Sequence, residues 1–299
     1  NNLDFFLTID EFKITHTHFG HVGELICFLK KIKLLKKCEI VHSFHGFDLL
    51  PNHQKYYQFK YENLFKFCKY FTVNSKYTYN ILEDFPNVES KKIRSLPVSL
   101  DTSYFSNSDF KPNKDFRIIF IGRLIDWKSP INALKILQIL HEREFPIFLD
   151  IIGEGPERKS CEDFIQANNL QEYAFLLGAL DQKDIKVKLS QSSVFIAPGI
   201  TDPKTSRAEN QGLVVQEAQA MELPVIVSSA GGMKYGLIDG VTGYVVEEND
   251  IEGFVEKIIH LFNFPEIIEE MGKRGRKYVQ ENFDYKVLGK KLLEIYSLR

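Results

Sequence analysis

A chain of 299 residues, 44% of them apolar, has the material for well-buried cores and suits two domains of ordinary size better than one. Its formal charge of −2, with acids and bases interspersed, argues against a whole-chain affinity for nucleic acid. The four cysteines (Cys27, Cys38, Cys68 and Cys161) are scattered without metal-ligand spacing and fit reduced thiols of a cytoplasmic protein, and no apolar run reaches the ~18 residues of a membrane span.

From the amino end, short apolar runs rich in β-branched or aromatic residues alternate with helical patterns, the signature of βαβ units and of an α/β fold with parallel sheets. The opening NNLDFFLTIDEFKITHTHF reads as the middle of a domain, so residues are expected to be missing ahead of it. Strands are predicted at Phe12–Thr17, Glu39–Ser43, Tyr70–Val73 and Arg94–Leu96, then at Phe116–Ile121, Ile147–Ile152, Ala174–Leu177, Val194–Ala197, Pro224–Val227 and Gly243–Val246. Between the two series, Asp101–Asp115 is polar and aperiodic and reads as an interdomain linker. From Glu252 on, three helical segments follow without a strand, and the last, Tyr285–Leu298, would pack back on the first domain. The expected organisation is a first domain over 1–105, incomplete or unusually small, a second over 106–280, and a C-terminal helix over 281–299.

The motifs follow the same order. His16, His18, His21, His42, His45 and His53 all lie in the first domain, yet none forms a Glu-flanked i, i+4 pair and no cysteine cooperates, so a metal site is not expected. In SFHGFD the imidazole of His45 stands at a strand end, with Gly46 allowing close approach of a ligand. A satisfied structural histidine is the plain alternative, and it is the preferred reading for His16 and His18. In IIFIGRLIDWKSPINALKIL, Gly122 and Arg123 follow a strand and Lys128 precedes a helix with expected N-cap Ser129 and first residue Pro130. Two cations there suit a diphosphate clamp, Arg gripping two oxygens and Lys adding a point charge; simple solvation of a loop is the alternative. DIIGEGPERK places Gly153 and Gly155 at the first two glycines of GxGxxG, but Arg158 stands where the third belongs, so a nicotinamide site is set aside.

ENQGLVVQE is the most informative stretch. Loop-borne Glu209 would reach a ligand, with Asn210 beside it. The backbone N–H groups of Gln211, Gly212 and Leu213 would face an anion, and Glu217 would sit about one turn inside the helix. Two glutamates eight apart also occur by chance on solvated helices; the order loop, helix, strand, glycine turn in AENQGLVVQEAQAMELPVIVSSAGG favours a ligand site at strand carboxyl ends.

Taken together, THTHFG, SFHGFD, LPVSLDTSYF, FIGRLIDWK, IIGEGPER, FLLGAL, RAENQGLVVQEAQAMELPVIVSSAGG and DGVTGYVV resemble glycosyltransferase family 4, above all members that build bacterial exopolysaccharide and lipopolysaccharide of the colanic-acid type. The resemblance implies a GT-B fold: two Rossmann-like, doubly wound parallel-sheet domains facing across a cleft, the N-terminal one here incomplete. It implies that Glu209 contacts donor-sugar hydroxyls, Glu217 the nucleotide ribose, and Arg123 and Lys128 the donor diphosphate, with His45 near the reacting sugar. Gly122, Gly153, Asn210, Gln211, Gly212 and Leu213 complete the implied donor site. The implied reaction moves a sugar, with retention and without metal or cofactor, from a UDP- or GDP-sugar to a hydroxyl of a glycan or lipid-linked glycan. A catalytically impaired donor-binding lobe and a sugar-nucleotide epimerase stay open beside it.

Some residues depart from the family pattern. No glycine-rich loop precedes His16, Ser129 and Glu222 stand where glycine is common, and Tyr235 replaces a frequent acid. If Glu222 takes a left-handed, helix-ending conformation it costs ~1 kcal/mol. The lipid-linked acceptors of the group draw attention to KKIKLLKK at Lys30–Lys37, which on a helix would mix lysines with Ile32, Leu34 and Leu35. With the aromatic, lysine-rich Lys55–Phe71 it would meet the anionic inner face of the cytoplasmic membrane, or else form a solvated helix face.

Overall fold

The computed structural model describes residues 8–46, 48–106 and 115–298. The middle of the predicted linker and the first seven residues of the opening segment lie outside them. Each predicted strand is present, as β1 (Ile14–His18), β2 (Glu39–Phe44), β3 (Tyr70–Val73), β4 (Ile93–Ser95), β5 (Phe116–Ile121), β6 (Ile147–Ile152), β7 (Ala174–Gly178), β8 (Val194–Ala197), β9 (Val225–Ser228) and β10 (Gly243–Val246). β1 starts later than predicted, because Phe12 lies exposed in a turn.

The chain divides into two compact units, Asn1–Val98 with Lys286–Arg299, and Ser99–Tyr285. The division falls ahead of the boundary expected at 105, for a physical reason. Leu100 and Phe105 are buried in the core of the second unit, and Leu100 exchanges backbone hydrogen bonds with Phe283 and Tyr285 at 3.0 Å each. The Thr102 hydroxyl adds a bond to Asp284 at 2.6 Å. Polar composition therefore marks a linker in a stretch that two apolar anchors fix to the core.

The first unit holds a four-stranded parallel sheet in the order β1-β2-β3-β4, with α1 (Gly20–Lys31), α2 (Gln54–Lys60), α3 (Glu62–Phe67) and α4 (Lys76–Glu83). Its core is aromatic, with Phe44, Phe65, Phe71 and Phe85 buried together. α1 ends at Lys31, so most of KKIKLLKK lies beyond the helix: Lys33 takes φ 64, Leu35 is buried, and the Lys30 ammonium is used on the Cys38 carbonyl.

The second unit is built on a six-stranded, all-parallel sheet in the order β10-β9-β8-β5-β6-β7. Its strands read as continuous apolar runs because both faces are covered. Ile118 and Phe120 of β5 join one core with α5 (Pro130–Glu142), α6 (Arg158–Ala167) and α9 (Ile251–Asn263). Ile119 faces the other core, with α8 (Leu213–Ala220) and α10 (Pro265–Asn282); α7 (Gln182–Ser190) contributes Leu189 to that side. From β5 the chain winds one way through β6 and β7, then crosses back to β8 and winds the other way. The reversal opens a topological switch point between β5 and β8, where ligands bind in open α/β sheets. The last helix, α11 (Tyr285–Ser297), is grouped with the first unit: the Tyr296 hydroxyl bonds His16 Nδ1 at 2.7 Å, and Lys69 Nζ donates to the Leu298 carbonyl at 2.9 Å.

Glu222, just after α8, takes φ 62, and its carbonyl lies against Gly272 of α10. Replacing it with glycine removes a left-handed strain at the expense of a 3.8 Å ion pair with Arg276. Glu222→Gly is expected to stabilise the protein by about 1 kcal/mol, read as a rise of about 2–4 °C in the melting midpoint.

Candidate functional site

The switch point brings together the loops that follow β5 and β8. After β5 the chain runs through Gly122 and Arg123 into a single 3-10 turn at Asp126–Lys128 and then α5. Pro130 is the first residue of α5, but Ser129 does not cap it as predicted: it takes φ 56, ψ 56, and its side chain makes no capping hydrogen bond. The left-handed turn there is one that glycine adopts freely, and serine takes it under strain. After β8, the Ile200 amide bonds the Trp127 carbonyl at 2.8 Å, stapling the two loops across the switch point.

This packing carries Lys128 and Glu209, 81 positions apart in sequence, to 2.6 Å from each other, both side chains largely buried. Glu209 is held from behind, since the Gly232 amide in the turn after β9 donates to its carbonyl at 2.7 Å. Gly212 follows with φ 72 as N-cap of α8, and a Cβ there would lie 2.9 Å from Met233 Cγ and 3.3 Å from Glu209 Cγ. Glycine is thus required both by conformation and by crowding. It also leaves α8 without a side-chain cap, so the Leu213 and Val214 amides find no acceptor among the described residues and their partial positive charge faces out. Asn210 and Gln211 are buried, and the Gln211 side-chain amide reaches Gln216 at 3.4 Å.

Arg123 is exposed at the end of β5 with no carboxylate partner among the described residues. Gly153 lies beneath it, where a Cβ would come within 1.9 Å of the Gly122 carbonyl oxygen. Its role here is to let the end of β6 lie against the Gly122–Arg123 loop. Glu217, one turn inside α8, is half-buried, and its carboxylate has no hydrogen-bond partner among the described residues. Burial pushes its carboxyl above the ordinary 4.5. Met233, Trp127 and Gly199 line the same small hollow as Lys128 and Glu209. Sequence reasoning missed them, and only the run SSAGGM directly after a strand hints at Met233. A wider cavity, about 860 Å³, opens at the amino end of the same sheet beside Phe116, Phe148, Phe262 and Ile268. It holds none of the predicted site residues and no cation, and we place the site at the carboxyl end.

His45 belongs to the first unit. It follows β2, and its backbone N–H donates to Asp48 Oδ1 at 3.1 Å while Gly20 N–H donates to Asp48 Oδ2 at 2.7 Å. The buried Asp48 therefore ties the His45 loop to the start of α1. It stands three residues after His45 in SFHGFD and was not singled out from sequence. Burial raises its pKa, against the pull of those backbone donors. His18 Nδ1 lies 2.9 Å from His45 Nε2, and burial together with His18 holds the His45 pKa below 6.5. Among the described residues no group of three or more His, Cys, Asp or Glu is placed to hold a metal ion, and no helix is long and apolar enough to cross a membrane.

Known proteins resemble this chain in sequence and in fold. The family "Glycosyl transferases group 1" matches residues 102–278, more than half of the chain. A GDP-mannose-dependent alpha-(1-6)-phosphatidylinositol monomannoside mannosyltransferase of Mycolicibacterium smegmatis is 24% identical over 70% of this chain and 57% of its own length. The capsular polysaccharide biosynthesis glycosyltransferase CapM of Staphylococcus aureus is 27% identical over 62% of this chain and 47% of its own. The chain thus spans about half the length of these curated relatives. In fold it matches Anabaena HepE, solved in complex with UDP, with a TM-score of 0.84 at 15% identity, over 98% of this chain and 81% of that one.

Because burial raises the Glu217 pKa, the folded chain holds that proton to higher pH than the unfolded chain does. Stability therefore falls as pH rises from the unfolded carboxyl's range through the folded one's. Glu217→Gln is expected to raise the melting midpoint of the ligand-free protein at pH 7, with a gain that shrinks as pH approaches 4.5; an unchanged midpoint at pH 7 would count against the buried carboxylate.

Proposed function

The chain belongs to the group 1 glycosyl transferases, and on that premise we propose that it moves a sugar from a nucleotide diphosphosugar, a UDP- or GDP-sugar, to a hydroxyl of a glycan or lipid-linked glycan in surface polysaccharide synthesis. The observation that carries this reading is the Lys128–Glu209 pair at the switch point, beside the open N-terminus of α8. A cation, unpaired backbone amides and a carboxylate within one hollow suit a ligand that joins phosphate to a polyol. The UDP bound by HepE and the GDP-mannose named for the mycobacterial relative support the donor class.

In this reading, Lys128, Arg123 and the first amides of α8 meet the donor diphosphate. Binding exchanges the Lys128–Glu209 contact for Lys128–phosphate and releases the Glu209 carboxylate toward the sugar hydroxyls. Glu217, whose carboxylate otherwise stands half-buried without a partner, receives the ribose hydroxyls. Transfer breaks the bond between the anomeric carbon and the phosphate oxygen. The acceptor oxygen bonds that carbon on the same face, and its proton passes to the departing phosphate. Charge accumulates on the leaving diphosphate, and the fixed cations and amides offset it by several kcal/mol without a metal ion. The family resemblance gives His45 of the first unit a part in the transfer step.

Contact with an anionic membrane fits the exposed lysines at 31, 33, 36 and 37, the exposed Val22, Leu25 and Phe28 on α1, and the exposed Ile32 just after it. Sedimentation with phosphatidylglycerol vesicles is expected at low salt and to weaken as salt rises, with none on phosphatidylcholine alone; absence of binding to either would remove the membrane from the reading.

Calorimetry with UDP and GDP tests the donor site itself. One of the two is expected to bind, with Lys128→Ala and Arg123→Ala each weakening it about 10–100-fold. A change below about two-fold for Lys128→Ala would overturn the site. Release of nucleoside diphosphate that requires acceptor supports transfer; binding without turnover selects a donor-binding lobe, and consumption without acceptor an epimerase.

A further inference from the structure

The first unit gathers three imidazoles that the reaction scheme above leaves unused apart from His45. His16 and His18 stand two residues apart on β1 and so share a face of the sheet. The rings of His16 and His18 stack at 4.7 Å with planes 20° apart, and His18 meets His45 edge to edge, with ring centres 5.2 Å and planes 16° apart. The inner end of the stack is anchored: His16 Nδ1 meets the Tyr296 hydroxyl at 2.7 Å and His16 Nε2 the Ser43 hydroxyl at 2.8 Å, and Ser43 continues to Thr72. With both nitrogens engaged and its ring partly buried, His16 is a fixed, neutral platform, its pKa pushed down to about 4 by burial and by the neighbouring His18 and His45. The outer end is the contact of His18 Nδ1 with His45 Nε2 at 2.9 Å.

That contact has one chemical meaning. Two ring nitrogens at hydrogen-bond distance hold one proton between them, so one is donor and the other acceptor, and each ring is thereby committed to one tautomer. Around His45, Asp48 engages the backbone and not the ring, Phe19 tilts against it at 5.3 Å, and His42 on β2 is taken up by Thr17 at 2.8 Å. Among the described residues, His18 is thus the group that hydrogen-bonds the His45 ring, while the Asp48 carboxylate acts on it only through its charge.

We propose that His18 is a positioning residue, which fixes the tautomer and ring orientation of His45 through the shared proton between Nδ1 and Nε2. The stack on His16, and through it α11, holds His18 in place. The consequence for transfer rests on the reading of His45 as the group beside the reacting sugar; the coupling of the two rings does not.

Histidine side-chain nitrogen NMR on the full chain at pH 7.5 decides it, because a protonated and a bare ring nitrogen resonate far apart. Wild-type His45 is expected in a single tautomer. In His18→Leu its nitrogens should move toward the averaged values of free histidine, and in His18→Asn, whose amide reaches the place of Nδ1, the single tautomer should persist. Averaged His45 tautomers in the wild type, or nitrogen shifts in His18→Leu identical to wild type, would overturn the proposal; the wild-type spectrum alone decides if the leucine variant does not fold. Turnover of UDP-glucose and GDP-mannose, read as diphosphate release, separates the two readings. His45→Ala and His18→Leu should each lower kcat by roughly 10–100-fold with KM within about three-fold, and the double variant no further than His45→Ala. If His45→Ala leaves kcat unchanged, the role of His45 falls while the NMR still judges the coupling. If His45→Ala lowers kcat and His18→Leu does not, the positioning role alone falls.

Discussion

The candidate site of the second unit centres on a charge contact made possible here by a reversal in strand order. Lys128 leaves the end of β5 and Glu209 the loop after β8; the two strands are neighbours because the winding of the sheet reverses between them. As a source of stability such a pair is modest, about 1 kcal/mol or less where water still reaches it. Its weight lies in position. The Trp127–Ile200 bond, the left-handed Ser129 and Gly212, and the Gly232 bond to the Glu209 carbonyl all serve to hold one ammonium and one carboxylate at the mouth of α8. Remove the switch in strand order and these groups have no reason to meet.

Some of the molecule's strain and unsatisfied groups lie at the same end of the sheet. Ser129 is held left-handed, the Glu217 carboxyl has a raised pKa and no partner among the described residues, and the side-chain amide nitrogen of Gln216 is buried without one. Each costs folding free energy that the cores on both faces of the sheet must offset, and local rules broken together are characteristic of sites shaped for binding. Glu222 breaks the same left-handed rule away from the site, beside the wider cavity at the amino end, and nothing in the structure gives that strain a use.

The first unit solves a different problem with a smaller sheet. Asp48 ties the loop bearing His45 to the start of α1, at the point where Phe19 is forced to φ 65. The imidazoles of His16, His18 and His45 then form a row, the first two stacked and the last two joined edge to edge, whose base rests on Tyr296 of α11. The last helix is thereby joined to the sheet edge that carries the histidines, although nearly three hundred residues separate the two in sequence.

Strands of the second unit were legible in the sequence because both faces of its sheet are covered, which writes a nearly continuous apolar run for each of them; the first unit's strands, such as ITHTH at β1, were marked by β-branched residues and by the helical patterns between them. The candidate site was legible in part: cations after one strand, and acids around a helix start after another, announce themselves by residue type and spacing. Other features were not. Polar Asp101–Phe105 looked like linker, and only the burial of Leu100 and Phe105 shows it to be part of the second unit. Ser129 looked like a helix cap, and only the backbone reveals the left-handed turn. His16 and His18 read as ordinary structural histidines, and Asp48 as nothing in particular. Residue chemistry and period are local properties that one chain segment carries by itself. The contact of Lys128 with Glu209 and of His18 with His45 depends on which strands lie side by side, and that is decided when the cores close and the sheets take their order.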